Sequence, residues 1–143
     1  MVEEYLAYLN TIHSFAIKEN AKDTQGIVED IAKLIKYKSY RRNEIVTIAD
    51  ELIHIEIFIN LMKVRFGNEI QYKSNIDEEC IKCYIPHYTI MQLVEDSYNN
   101  NNNNKFSIKE NNRIIVLNVT KDNDKIYITV EYNGHLSKIG IAL

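Results

Sequence analysis

The chain has 143 residues, 45% of them apolar and 26% charged, with a formal net charge of −3. That supports one ordinary domain or two tightly coupled halves, and the mild acidity argues against nucleic acid as a partner. No run is long and apolar enough to cross a bilayer, and Val2, Glu3 and Glu4 after Met1 are unlike the basic start of a signal peptide, so no membrane insertion and a cytoplasmic location are expected.

Proline occurs once and glycine four times, which favours long regular elements. Residues 3–19 read as a helix, with Tyr5, Tyr8/Leu9, Ile12 and Phe15/Ala16 as its apolar stripe. Residues 20–23 form a polar break. A second helix runs to about Tyr40, with Ile27, Ile31, Leu34/Ile35 and Lys38 marking a face. Arg41-Arg42-Asn43-Glu44 is a charged turn. Thr47 then opens a capping box with Asp50, with Glu51 beside it, and a third helix runs to about Phe66. Its apolar positions, Leu52, Ile55, Ile59, Met62 and Phe66, are widened by Ile53, Ile57 and Phe58. So broad a face predicts a helical hairpin that also pairs with a second copy.

The period changes at Gly67. Residues 69–75 and 80–85 read as short strands around a turn at 76–79. Cys80 and Cys83 make a C-x-x-C spacing, which suits redox chemistry or half of a zinc site. On a strand, residues three apart point to opposite faces, so the two sulfurs are expected to diverge and to act as small buried hydrophobes. Pro86 suits the first turn of a helix. Ile90, Leu93, Val94 and Ser97 then share a face that delivers Glu95 and Asp96 at its edge. Acidic pairs there are commonly solvated surface. Asn99–Asn104 reads as a polar loop. Residues 113–120 and 125–132 read as paired strands around a turn at 121–124, with alternation in Ile126, Ile128, Val130 and Tyr132. Asn133-Gly134 is a turn signal. The layout is an α+β chain with a helix over a mixed or antiparallel sheet.

Several segments then fall in a familiar order: Leu34-Ile35-Lys36-Tyr37, Val46-Thr47-Ile48 with Glu51-Leu52, Lys63-Val64-Arg65-Phe66, Ile85-Pro86, and Gln92-Leu93-Val94-Glu95-Asp96-Ser97. Together they resemble the cytoplasmic part of LytS-type sensor histidine kinases, from the phosphoacceptor helix into the ATP-binding domain, over nearly the whole chain. The resemblance implies a helical dimerisation and phosphoacceptor-like region over 1–66. It implies a histidine-kinase-type ATPase α/β sandwich over 67–143, read as truncated because the chain ends before the family's closing helix and strands.

The family's site residues carry over unevenly. Leu9-Asn10-Thr11-Ile12 matches the segment after the phosphoacceptor, and counting back puts Glu3 at the histidine and Val2 at the preceding proline. A carboxylate does not replace an imidazole as a stable phosphoramidate acceptor. His13 is the nearest histidine and an alternative acceptor, although it reads as an ordinary flanking residue. Glu95 matches the family's glutamate, and Asp96 stands at its magnesium-holding asparagine. A carboxylate at that place remains able to bind magnesium. The family's Asp-x-Gly-x-Gly motif meets Tyr132-Asn133-Gly134-His135-Leu136. Asn133 and Gly134 survive, while the adenine-binding aspartate is Tyr132 and the second glycine is Leu136. Gly140-Ile141-Ala142-Leu143 follows almost at once where the family has a lid and then Gly-x-Gly-Leu. The resemblance therefore implies a degenerate module with no cofactor. It would act as a homodimer and through a histidine kinase or response regulator. The alternative is a fragment of a functional kinase that binds Mg-ATP through Glu95 and Asp96.

Overall fold

A computed structural model describes residues 1–40, 43–67, 70–102 and 113–143, with side chains omitted at 100–102. Two helices packed on each other organise its start. Helix α1 spans Val2–Lys18 and helix α2 spans Lys22–Tyr40, joined by a break in which Asn20 takes a left-handed φ of 57°. On α1, Leu6, Leu9, His13 and Ala16 lose solvent exposure, at the spacing of one helical face. Tyr5, Tyr8, Ile12 and Phe15 lie on the adjacent face and stay exposed. The single stripe expected from sequence is thus two, and only one is covered. Of the charged turn, Arg41 and Arg42 lie outside the described residues.

Strand β1 (Ile45–Thr47) leads into helix α3 (Ile48–Phe66). The capping box expected at Thr47 forms: the Asp50 N–H donates to Thr47 Oγ1 at 3.1 Å, and the Thr47 N–H donates to Asp50 Oδ2 at 3.3 Å. Gly67, at a φ of 78°, ends the helix in a conformation that favours glycine.

The four-stranded sheet has the order β2-β4-β5-β6, with β2 Ile70–Ile76, β4 Arg113–Asp122, β5 Lys125–Tyr132 and β6 His135–Ala142. Strands β2 and β4 are parallel and the other pairs are antiparallel, so the sheet is mixed. The expected alternation is clear on β4 and β5. Ile115, Leu117, Val119, Ile126, Ile128, Val130 and Tyr132 are all buried on one face. Each such aliphatic side chain contributes about 2 kcal/mol by leaving water. Helix α4 (Thr89–Asn102) connects β2 to β4 and covers that face. The core runs without interruption from Tyr37 of α2, through Ile55 and Ile59 of α3, to Val94 of α4 and Tyr132 of β5.

Three local expectations are corrected, and one segment left unassigned is placed. Pro86 does not begin a helix. It ends strand β3 (Tyr84–Pro86), which pairs with β1 through Ile45, and α4 starts at Thr89 after Tyr88 takes a φ of 72°. Residues 80–83 are not a strand either. Glu78–Cys80 is a 3-10 turn, and the Cys83 N–H donates to the Cys80 carbonyl at 3.0 Å. The cysteines therefore lack the alternation that would separate them. The expected polar loop is helical over residues 99–102, while residues 103 and 104 lie outside the described residues. Asparagine is a poor helix former. The last turns persist because Tyr98 packs edge-on against Phe58 and Tyr132, with ring centroids 5.9 and 6.0 Å apart. Finally, the chain beyond Gly134 continues as the paired strand β6.

Candidate functional site

Helix α4 places the acidic pair. Its buried face is Ile90, Met91, Val94, Ser97 and Tyr98, so Glu95 and Asp96 fall on its flank by helical geometry. The two carboxylates have different neighbours. Glu95 is partly buried. Its Oε1 accepts the Tyr88 hydroxyl, and its Oε2 lies 3.8 Å from Lys38 Nζ of α2. Lys38 also sits over the Tyr88 ring, 5.3 Å from its centroid. Burial, and after it the bond to Glu95, push the Tyr88 phenol far above its ordinary value. Asp96 is exposed, and Gln92 Nε2 donates to its Oδ1 at 2.8 Å, one helical turn back.

Asn133 and Gly134 form the two-residue turn between β5 and β6, both with positive φ, 49° and 88°. That is the turn geometry matched to strand twist, and Asn-Gly favours it. Asn133 is tied to β4 in two ways. Its Oδ1 accepts the Ile114 N–H at 2.8 Å, and its own N–H donates to the Ile114 carbonyl at 3.0 Å. Gly140 pairs with Tyr127 across the β5–β6 ladder, and a Cβ at Gly140 would meet the Tyr127 ring at 3.4 Å.

Glu3 lies in the first turn of α1 and is exposed. A backbone N–H holds its carboxyl below the usual carboxylate range. It lines an open cleft of about 710 Å³ with Lys38, Asn43, His87, Tyr88 and Gln92. The structure therefore brings Glu3 to the start of α4, the helix that bears Glu95 and Asp96. His13 lies elsewhere on α1. Its Nε2 is 3.1 Å from Glu29 Oε1 of α2, and it lines a separate hollow of about 230 Å³ with Lys33 and Lys36. Among the described residues no group of three His, Cys, Asp or Glu is placed to hold a metal ion.

Sequence reasoning missed the buried polar centre behind the cleft. Glu51 of α3 is fully buried. Its Oε1 accepts the backbone N–H groups of Ile90 (3.0 Å) and Met91 (3.4 Å), and its Oε2 accepts the Tyr37 hydroxyl. Tyr37 stacks on His54 at 3.6 Å between centroids and meets His87 edge-on at 4.7 Å. His87 Nε2 donates to the Tyr37 carbonyl at 2.7 Å. A signal was present: Glu51 is three residues after Ile48 and four before Ile55, on the apolar face of its helix.

Residues 6–70 match the family model described as Histidine kinase. Sensor histidine kinase BtsS of Escherichia coli (strain K12) is 27% identical over 89 residues, covering 62% of this chain and 16% of that protein. Sensor protein LytS of Staphylococcus epidermidis (strain ATCC 35984) is 32% identical over 93 residues, 65% of this chain and 15% of that one. Over these stretches the chain is similar to LytS-type sensor histidine kinases. It spans about a sixth of the length of these two relatives. A solved histidine kinase domain, from the blue-light activated histidine kinase EL346 of Erythrobacter litoralis, aligns at a TM-score of 0.45 with 15% identity, covering 90% of this chain and 63% of that one. In this chain Glu51 joins α3 to the first turn of α4, and the Glu3 cleft opens beside that junction. No described helix is long and apolar enough to cross a membrane.

Proposed function

We propose that this chain is a degenerate histidine-kinase-like module that neither binds Mg-ATP nor autophosphorylates, and that works in two-component signalling by binding other proteins. One observation carries the reading. The Asn133-Gly134 turn passes straight into β6, so a paired strand occupies the stretch in which the family places its phosphate-wrapping lid. Three others support it. Tyr132, at the place of the adenine-binding aspartate, is buried in the core and offers no carboxylate. Glu95 is engaged by Tyr88 and Lys38, and Asp96 by Gln92. The resemblance puts Glu3 at the phosphoacceptor position, and a backbone N–H holds its carboxyl below the usual carboxylate range.

The binding partners in this reading are a second copy, through α1, and a histidine kinase or response regulator. The opposing reading is a fragment of a functional kinase in which Asp96 holds magnesium. Its support is the exposure of Asp96, which leaves that carboxylate accessible to a cation. Calorimetric titration with Mg-ATP decides between them. The expected result is no saturable heat and no thermal shift at millimolar nucleotide. Saturable binding that disappears in Asp96→Ala overturns the proposal and installs the kinase reading.

A further inference from the structure

Cys80 and Cys83 stand at the two ends of one tight turn, closed by the bond from the Cys83 N–H to the Cys80 carbonyl. Turns of this kind bring their first and last α-carbons within about 7 Å. A disulfide spans α-carbons roughly 4.4–6.8 Å apart. Cys80 is fully buried in the main core, and Cys83 is half-buried and packed against the same core. Burial, and then the neighbouring Cys83 thiol, push the Cys80 thiol above its ordinary value. The Cys83 thiol donates to the Glu79 carbonyl at 3.3 Å and keeps access to solvent.

The turn also joins two parts of the fold. The Cys83 and Ile81 carbonyls accept the N–H groups of Ile48 and Ala49, each at 3.0 Å, and so cap the first residues of α3. Just before it, Asp77 ties the chain to β4. Its N–H donates to the Val119 carbonyl at 2.9 Å, and its Oδ2 accepts the Lys121 N–H at 3.0 Å.

We propose that Cys80 and Cys83 form a reversible intramolecular disulfide that locks the turn holding the start of α3 to the sheet. The oxidant is a low-molecular-weight disulfide of the glutathione class. Cys83, the accessible thiol, loses its proton and attacks one sulfur of the oxidant. The oxidant's S–S bond breaks, and one glutathione thiol leaves with a proton. Cys80 then loses its proton and attacks the Cys83 sulfur of the mixed disulfide, releasing the second glutathione thiol. The two protein thiols together lose two electrons and two protons, and oxidised glutathione gains both. Because the folded turn already holds the ends together, the bond forms more readily in the native chain than in the unfolded one. By linkage, the oxidised chain resists unfolding better.

The test is to equilibrate the full chain in a glutathione redox buffer, trap thiols by alkylation, weigh the product and melt both redox forms. The expected product is a single chain lighter by two hydrogens, with neither cysteine alkylated and a melting temperature a few degrees above the reduced form. Cys80→Ser stops at a glutathione adduct on Cys83, and Cys83→Ser stays reduced. The wild-type results stand even if Cys80→Ser does not fold. A native chain that stays reduced until urea is added overturns the proposal. So does a persistent adduct or an interchain cross-link in the wild type, or an oxidised form that melts no higher than the reduced one.

Discussion

Glu51 has no access to water, and its carboxylate is matched by donors from two other helices: the Tyr37 hydroxyl and the N–H groups of Ile90 and Met91. A buried charge is tolerated only when it is so matched. Tyr37→Phe deletes the donor to Oε2 while keeping the ring that stacks on His54. It should cost about 1–3 kcal/mol, the penalty of a buried acceptor left without its partner, seen in urea unfolding as a lower midpoint at unchanged slope. An unchanged midpoint would remove the phenol from the network. Tyr88 makes a pH prediction. Its phenol is pushed upward first by burial and then by the bond to Glu95, and Tyr72 and Tyr132 are pushed upward first by burial. The folded chain thus holds these protons more tightly than the unfolded chain, whose phenols titrate near 10.0. The stability they contribute is fully present below that pH and is lost as pH rises above it. Denaturation midpoints measured upward from about pH 8 should fall beyond about pH 10. The phenolate band of these tyrosines should then appear together with unfolding, not before it.

Among the elements, α4 and the β5–β6 hairpin decide how the candidate site is presented. The N-terminus of α4 is fixed by Glu51, and its later turns by Tyr98 between Phe58 and Tyr132. Ser97 adds a polar contact to Ser137 of β6 at 3.3 Å. The hairpin depends on Asn133, which combines a left-handed φ of 49° with the bond from the Ile114 N–H. Asn133→Ala loses both the tolerance for that φ and the acceptor. About 1–2 kcal/mol of destabilisation is expected, with amide exchange rising first at Ile114 and along β6. Asn133→Gly keeps the φ and loses only the side-chain bond, so it should cost less. Equal costs would mean that the turn is not set by Asn133.

For the whole molecule, the open question is what covers α1. Tyr5, Tyr8, Ile12 and Phe15 recur at spacings of three and four, as at the a and d positions of a coiled coil. Tyr8 is 63% exposed and Ile12 48%. A second copy is the partner in the proposed function. Tyr8→Glu with Ile12→Glu should convert a dimer to a monomer in sedimentation. The chain's own melting should stay almost unchanged at low concentration, because neither side chain is buried within the protomer. A wild-type chain that is already monomeric at tens of micromolar would sink the dimer.

Period and capping chemistry determined the elements that were legible in the sequence. The three N-terminal helices, the Thr47–Asp50 capping box, the Gly67 stop, strand β5 and the Asn133-Gly134 turn are all written in spacings of a few residues, and local physics is enough to read them. The α+β layout followed from their order, and the family resemblance followed from short segments in register. The rest depended on contacts between residues far apart in sequence. Strand β1 exists because Tyr84–Pro86 pairs with it. Pro86 ends a strand because Glu51, 35 positions earlier, caps the helix that follows. Asn99 is helical because Tyr98 is gripped by α3 and β5. The cysteines end one tight turn because the carbonyls at 81 and 83 are recruited to the start of α3, where alternation alone would give a strand. Only the tertiary structure placed Glu3, Lys38 and Tyr88 around one cleft, because α1, α2 and the turn before α4 approach only after the common core has formed.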